Sequence, residues 1–284
     1  MNIVITGSSG FIGKRLLGFL SHYKKYKILC ITRSKSKKLK NKNVEYLKCN
    51  LNKISNYKKK IINFSPDILI HLAWDKIPNF NKSNSKKNEI ISKNLINFFA
   101  LNTRIKNIIV SGSCFEIKPP DSQYIYFIKA KKNILKFLKK KAKKNNFNYY
   151  WLRFFYVYGP GQRRKSIIPY LLSSIKNTTK AKIKEPNRRH DFIYVDDVCA
   201  SIISACKHIE RSNILEIGTG KITSIKKIIK LIEKITGKKI FKENHLSKKR
   251  NIIFKANINK PKAKIGWRSR ISIESGLKKM LSSI

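Results

Sequence analysis

The clearest chemical signature in the chain is Thr6-Gly7-Ser8-Ser9-Gly10-Phe11-Ile12-Gly13. Glycine at 7, 10 and 13 permits a tight turn and lets backbone approach a ligand closely. A helix opening at Phe11 aims free N–H groups and the positive end of its dipole at the same place. That combination suits a pyrophosphate, which makes Gly7, Ser9, Gly10, Phe11, Ile12 and Gly13 candidate dinucleotide contacts. A second signal lies at the end of the next strand, where a carboxylate would accept hydrogen bonds from an adenosine ribose. The chain has Thr32-Arg33-Ser34 there instead. An arginine without a carboxylate favours the extra phosphate of NADP, with NAD as the alternative. The cysteines Cys30, Cys49, Cys114, Cys199 and Cys206 form no C-x-x-C pair, so neither a metal site nor a disulfide framework is predicted.

The elements that must hold these residues follow from periodicity. Residues 2–6 (NIVIT) are apolar and β-branched and end in the Gly-rich turn, the pattern of a buried strand. Helical spacing follows over 11–22, then strands at 27–32, 67–73 and 106–111, with helical stretches near 54–64 and 86–103 between them. Strands alternating with helices predict βαβ units and a parallel sheet, an α/β fold. Ser122, behind Pro119-Pro120, reads as the N-cap of a helix running to about 145. Residues 147–157 read as one more strand. Beyond Gly159-Pro160-Gly161 the pattern is less regular, with helices near 165–176, 196–209, 222–236 and 271–282, and a soft boundary is placed near 160.

Composition narrows the class. With 42% hydrophobic residues a substantial core is expected. No apolar run approaches the ~18–20 residues of a spanning helix, and MNIVITG lacks the basic and apolar regions of a signal peptide. The scattered, odd cysteine count fits a reducing compartment, so a cytoplasmic protein without membrane insertion is expected. The 64 basic against 15 acidic residues give a net charge of +49. That charge is spread evenly: 31 basic and 6 acidic residues up to 142, then 33 and 9. No basic tail or domain stands out, and the lysine-rich stretches 35–42 and 139–144 read as a solvated loop and a helix end. A lysine-coated enzyme is expected rather than a specific nucleic-acid binder, though a positive surface would still attract an anionic substrate.

Seven segments, ITGSSGFIG (5–13), LIHLAW (69–74), VSGSCFE (110–116), WLRFFYVYGPGQ (151–162), HDFIYVDDV (190–198), LEIGTGK (215–221) and IGW (265–267), occur in one order across nearly the whole chain. With them the chain resembles the extended short-chain dehydrogenases/reductases, the NAD(P)-dependent sugar-nucleotide epimerase/dehydratase family. The resemblance implies a Rossmann-type doubly wound parallel sheet over 1–160. A smaller C-terminal α/β substrate domain follows over 161–284, part of 191–220 packing back on the first. It also implies hydride transfer between a nicotinamide and a sugar carbon, assisted by a Ser/Thr, a Tyr and a Lys, the last two spaced Y-x-x-x-K. The chemistry of that set is direct. A reduced ketone leaves an alkoxide that needs a proton, and a phenol with pKa ~10 supplies it when a nearby ammonium lowers that value.

By the same resemblance Ser113 takes the Ser/Thr position. Cys114-Phe115 follow where dehydratases carry an Asp-Glu pair, so dehydration is disfavoured. No Tyr lies four before a Lys in Tyr124-Ile125-Tyr126-Phe127-Ile128-Lys129-Ala130-Lys131. Lys131 lies 22 positions before Arg153, the family-like spacing, and is taken as the catalytic-position lysine; Phe127 then occupies the tyrosine position. Tyr124, seven before Lys131, shares its helical face and is the candidate replacement hydroxyl. Tyr126 is about 140° away on a regular helix. Failing both, the chemistry is slow or lost.

The resemblance carries further positions. Asn50 and Leu51 would touch adenine; Leu72, Ala73 and Trp74 would line the cofactor cleft; Tyr156 and Val157 would lie near the nicotinamide. Arg163, Arg164 and Arg189 are candidates for the substrate diphosphate, Arg188-Arg189 being shifted by one from the family arginine. His71 reads as a satisfied strand residue, and Asp196-Asp197 as caps of the following helix. The expected function is NADP-dependent reduction of a nucleotide-linked 4-keto-6-deoxy sugar. A nucleotide-sugar 4-epimerase with bound NAD, a silent cofactor-binding homologue and charge-driven nucleic-acid binding are the alternatives. A homodimer through helices near 86–103 and 122–145 is implied, against which lysines at 136, 139–141, 143 and 144 would work.

Overall fold

A computed structural model of the chain describes residues 1–33, 39, 41–241 and 254–282. Ser34 and most of the stretch 35–42 lie outside the described residues. The elements run β1 (Asn2–Thr6), α1 (Phe11–Leu20), β2 (Lys27–Thr32), β3 (Val44–Lys48), a 3-10 segment Leu51–Tyr57, α2 (Lys58–Phe64), β4 (Ile68–His71), α3 (Lys82–Asn102), β5 (Asn107–Ser113), α4 (Ile125–Asn145), β6 (Asn148–Phe154) and β7 (Tyr156–Tyr158). They continue as α5 (Ile167–Lys176), β8 (Arg189–His190), β9 (Phe192–Tyr194), α6 (Val195–Lys207), β10 (Asn213–Ile217), β11 (Thr223–Ser224), α7 (Ile225–Thr236), α8 (Asn259–Ile265) and α9 (Ile273–Leu281).

Seven strands form one parallel sheet in the order β10-β6-β5-β4-β1-β2-β3. It is the Rossmann-type α/β fold expected. Both faces of the sheet's centre are covered, which is why β1, β2 and β4 are apolar runs, whereas the edge strand β3 (VEYLK) exposes Glu45 and Lys48. Alternate residues of β1 feed separate cores. Ile3 and Ile5 join Leu16, Leu20, Val198 and Ile202 on one side. Val4 joins Leu95, Phe99 and Leu138 on the other. The chain order reverses between β1 and β4, and a crevice opens at the carboxyl ends of strands at such a switch point.

Three sequence expectations change in detail. The run 147–157 is two strands. The amide of Phe155 still bonds to Ile217 of β10, but that of Tyr156 bonds to Asp191, and Val157 N–H closes a tight turn on Phe155 C=O. The unbroken apolar sequence hides this change of sheet. Ser122 does not cap α4: Asp121 accepts from the Gln123 amide and opens a 3-10 turn, Ser122–Tyr124, ahead of the helix. Asp196 and Asp197 sit in the first turn of α6, whose N-cap is Tyr194. Their carboxylates tie elements together instead. Asp196 holds Arg15 of α1 at 2.6 and 2.8 Å, and Asp197 accepts the amides of Arg270 and Ile271. No helix among the described residues is long and apolar enough to cross a membrane.

Candidate active site

A cleft of about 590 Å³ lies at the switch point. Its floor is the Gly-rich turn. Gly7 has φ +78°, and a Cβ there would lie 2.7 Å from Ala73 N and 2.8 Å from the Leu72 carbonyl carbon. The strand-end residues Leu72 and Ala73 therefore pass directly against the turn. At Gly13 a Cβ would meet Gly7 O at 2.1 Å, so α1 can pack on the turn only through glycine. Gly10 is the N-cap of α1 and offers no side chain to the first-turn N–H groups, which leaves them for a ligand. Gly7, Ser9, Gly10, Phe11, Ile12, Gly13, Arg33, Asn50, Leu51, Leu72, Ala73, Trp74 and Val157 all line this one cleft. Buried Trp74 Nε1 and Gln162 Oε1 on its wall have no hydrogen-bond partner among the described residues. A cradle that excludes Cβ atoms, an uncapped helix start and orphaned polar atoms fit a dinucleotide.

Arg33 stands at the cleft edge, where its Nη1 meets Asp75 Oδ1 at 2.9 Å. Asn50 caps the 3-10 segment through the Asn52 amide while also lining the cleft. His71 is satisfied on both ring nitrogens, by Thr6 Oγ1 at 2.7 Å and Ser92 Oγ at 2.9 Å. Ser92 donates its hydroxyl to Asn88 C=O, so it accepts from Nε2–H, and Nδ1 accepts from Thr6. Burial holds this imidazole neutral, with its pKa pushed down to about 3. It is a structural histidine.

The other end of the cleft is built on β5 and α4. Ser113 ends β5 and lines the cleft, its Oγ accepting the Phe115 amide and lying within hydrogen-bond reach of the Cys114 side chain. A buried carboxylate that the sequence reading passed over, Glu116, fixes this turn. It accepts the Ser113 amide at 2.7 Å, the Trp151 indole N–H at 2.9 Å and Arg153 Nε at 3.2 Å. Gly112 makes room for it, since a Cβ there would lie 2.3 Å from Trp151 Nε1 and 2.9 Å from Glu116 Oε1. Cys114 is buried, and desolvation raises its thiol far above the range where a thiolate forms.

Lys131 lines the cleft from α4, and its Nζ donates to Ser111 C=O at 2.6 Å. The ammonium lies 4.4 Å from the Trp74 ring centroid, 5.7 Å from Phe127 and 5.9 Å from Trp151. Burial lowers its pKa to about 8, opposed by the charge of Glu116. Phe127, in the position expected for tyrosine, is buried between Trp74 at 5.0 Å and Phe80 at 4.8 Å and lines the cleft with both. Tyr124 lies in the 3-10 turn, its ring 4.7 Å from Phe115 and 5.3 Å from Phe80, behind the lining residues rather than among them. Burial and Asp121 raise its pKa; the cations that favour its phenolate are Arg188 and Arg163. Tyr126 is 44% exposed and outside the cleft.

Of the candidate phosphate ligands, Arg163 lines the cleft, with Gln162 beside it; Arg164 is exposed and outside it. Arg189 is exposed in β8, paired with Ser224. Its neighbour Arg188, just ahead of β8, is half-buried, pairs with Glu185 at 3.3 Å, and is the arginine whose charge acts on Tyr124, Tyr156 and His190. Tyr156 does not line the cleft. It stacks on His190 with centroids 3.8 Å apart and planes at 22°. Burial and Arg188 depress His190 to about 4, and burial raises Tyr156, so both are neutral near pH 7. Asp191 is fully buried and accepts from Thr219, Gly220 and Ala256, a structural tie.

Comparison with known proteins places this geometry in context. Over 147 residues, 46% of each chain, the sequence is 31% identical to a CDP-abequose synthase of Salmonella muenchen. Over 140 residues it is 29% identical to a dTDP-4-dehydro-6-deoxyglucose reductase of Escherichia coli, covering 47% of this chain and 44% of that one. These matches thus span less than half the length of either relative. A crystal structure of UDP-glucuronic acid 4-epimerase from Bacillus cereus, in complex with UDP-glucuronic acid and NAD, superposes with a TM-score of 0.83 at 20% identity, covering 99% of this chain and 98% of that one. That likeness shows the fold. The model of the NAD dependent epimerase/dehydratase family matches residues 3–218, from the first strand through β10. With the Gly-rich cradle, the β5 serine and the α4 lysine gathered in one cleft, the chain belongs to the NAD dependent epimerase/dehydratase family.

Proposed function

We propose that the protein reduces a nucleotide-linked 4-keto-6-deoxy sugar at the expense of NADPH, with NADH as the second choice of cofactor. The observation that carries this reading is the convergence of Ser113, Lys131 and the Gly-rich cradle on one cleft. The similarity to a 4-dehydro-6-deoxy sugar-nucleotide reductase supports the direction of the reaction. Gly7, Ser9, Gly10, Phe11, Ile12 and Gly13 would hold the pyrophosphate, Asn50 and Leu51 the adenine, Arg33 the adenosine end, and Lys131 and Val157 the nicotinamide half. A bound nicotinamide supplies the hydride.

The chain's own residues supply everything else. The Ser113 hydroxyl would donate a hydrogen bond to the sugar carbonyl oxygen and fix its orientation, keeping its own proton. The Lys131 ammonium, anchored on Ser111 C=O, places positive charge where the alkoxide develops. Tyr124, protonated at neutral pH in the 3-10 turn ahead of α4, is the nearest candidate hydroxyl on this helix face. It stands behind Phe115 and Phe80, so giving the alkoxide its proton requires those rings to part over the bound sugar. Arg163, the one diphosphate candidate among the arginines that lines the cleft, would hold the diphosphate, where a guanidinium fork suits bidentate contact.

The test is the loss of reduced-nicotinamide absorbance on adding a dTDP- or CDP-linked 4-keto-6-deoxyglucose, with NADPH and NADH in parallel. Turnover with either supports a reductase, and faster turnover with NADPH supports the role of Arg33. Cofactor binding without turnover would replace this reading. Phe127 favours the second one, a homologue that binds cofactor and has lost its proton donor.

A further inference from the structure

The cleft carries a carboxylate that no sequence signature announces. Asp75 follows β4, and buried side chains of α3 fix its backbone. Its N–H donates to Asn88 Oδ1 at 2.7 Å, and its C=O accepts from Asn84 Nδ2 at 3.1 Å and from Asn88 Nδ2 at 3.4 Å. Asn84 and Asn88 are 5% and 4% exposed. Asn88 continues through Ser92 to His71 and Thr6, so Asp75 ends a hydrogen-bond chain that starts in the sheet. Among the described residues its carboxylate meets Arg33, at the end of β2. Because β1 lies between β2 and β4, this pair reaches across two strand spacings, about 10 Å, over the end from which the Gly-rich turn departs.

Two opposite charges thus share the end of the cleft where, on the reading above, the adenosine ribose lies. A ribose with a free 2′-hydroxyl brings no charge to them. A 2′-phosphate brings about −1.5 to −2, must take Arg33 away from Asp75, and then sits beside the freed carboxylate. We infer that Asp75 is a specificity-determining residue: by holding Arg33 it weakens binding of the 2′-phosphorylated dinucleotide and narrows the preference for NADP over NAD. The inference rests on the cleft being a dinucleotide site. The pair is partly exposed, 65% at Arg33 and 22% at Asp75, so a ligand can open it and the effect is modest and sensitive to salt.

The experiment uses two adenosine fragments, adenosine 2′,5′-bisphosphate and 5′-AMP, titrated calorimetrically into the full chain at low salt. Asp75→Asn keeps every backbone hydrogen bond of the loop, so its melting temperature should match the wild type. It should tighten the bisphosphate by roughly three- to tenfold and leave 5′-AMP within about twofold. Arg33→Met should erase the preference for the bisphosphate, and Asp75→Asn added to it should then change nothing. An unchanged ratio of the two affinities in Asp75→Asn overturns the inference. So does a gain that persists without Arg33, because Asp75 would then act by direct repulsion. If wild type binds neither fragment, nor NADH or NADPH, the dinucleotide reading of the cleft fails first and this inference with it.

Discussion

The two ends of the cleft are made of different material. At the end of β1 the site is backbone: a turn with φ +78° at Gly7, an uncapped helix start, and close approaches that any Cβ would block. At the end of β5 it is side chains: Phe127 wedged between Trp74 and Phe80, with Lys131 beneath the Trp74 ring. A backbone site is intolerant, because the smallest side chain already collides. A side-chain site is permissive, because one ring replaces another at nearly equal volume and the packing survives while a hydroxyl disappears. The nucleotide end therefore keeps its geometry and chemistry together, and the other end can keep the first while losing the second.

Gly13→Ala tests the intolerant end and carries the largest expected effect. The new Cβ would lie 2.1 Å from Gly7 O and 2.8 Å from Ser8 Cα, both backbone, so the turn itself must move. Affinity for NADPH should fall by at least about 100-fold, roughly 3 kcal/mol, read by fluorescence titration. A loss below about threefold would mean that the cradle is not where the dinucleotide binds.

At the permissive end the pair Phe127→Tyr and Tyr124→Phe separates the readings. If Tyr124 is the proton donor, Tyr124→Phe should lower kcat for the reduction about 10- to 100-fold, and Phe127→Tyr should offset that loss in the double variant. If the wild type is silent, Phe127→Tyr alone should gain activity and Tyr124→Phe should change nothing. Both variants keep the rings that pack on Phe80 and Phe115, so a matched melting temperature should accompany either result.

The same contrast explains what the sequence made legible. The central strands and the Gly-rich turn were readable because buried parallel strands are apolar runs and glycine alone fits the turn, whereas the edge strand β3, VEYLK and half exposed, carried no such run. Lys131 was readable from its distance to Arg153. What escaped was set by tertiary partners. Tyr156 stacks on His190, 34 positions away, rather than facing the cleft. Arg188, just ahead of β8 and paired with Glu185, rather than Arg189 within the strand, is the cation near Tyr156 and His190, a placement set by the folded chain and not by residue type. Glu116 and Asp75 are ordinary acidic residues until Trp151, Arg153, Asn84 and Asn88 are folded around them. A sheet change inside an unbroken apolar run left no mark in the residue types.

Lys131 gives the permissive end a pH signature. Its ammonium, ordinarily lost near 10.5, is lost near 8 because burial penalises the charge. If the ammonium is required, kcat should fall about tenfold per pH unit above that value. Between about 8 and 10.5 the unfolded chain holds a proton on this lysine that the folded chain has released. The Lys131 contribution to stability therefore rises with pH over that window, and it cannot be the cause of a falling rate. A pH–rate profile with a parallel melting series checks this. Lys131→Arg, which cannot lose its charge, should remove the inflection near pH 8.

The smallest effect expected concerns how far the cleft extends toward solvent. Arg163 and Arg164 are adjacent and both exposed, but only Arg163 lines the cleft. An exposed guanidinium on a diphosphate is screened and contributes little more than an exposed ion pair, so Arg163→Ala should raise KM for the nucleotide sugar about three- to fivefold with kcat unchanged. Arg164→Ala should leave KM where it was, and the Arg163 effect should fade as salt is raised. Equal effects of the two substitutions would mean that the substrate meets a diffuse positive surface. In that case the permissive end of the cleft would owe its substrate to the +49 charge of the whole chain rather than to a placed arginine.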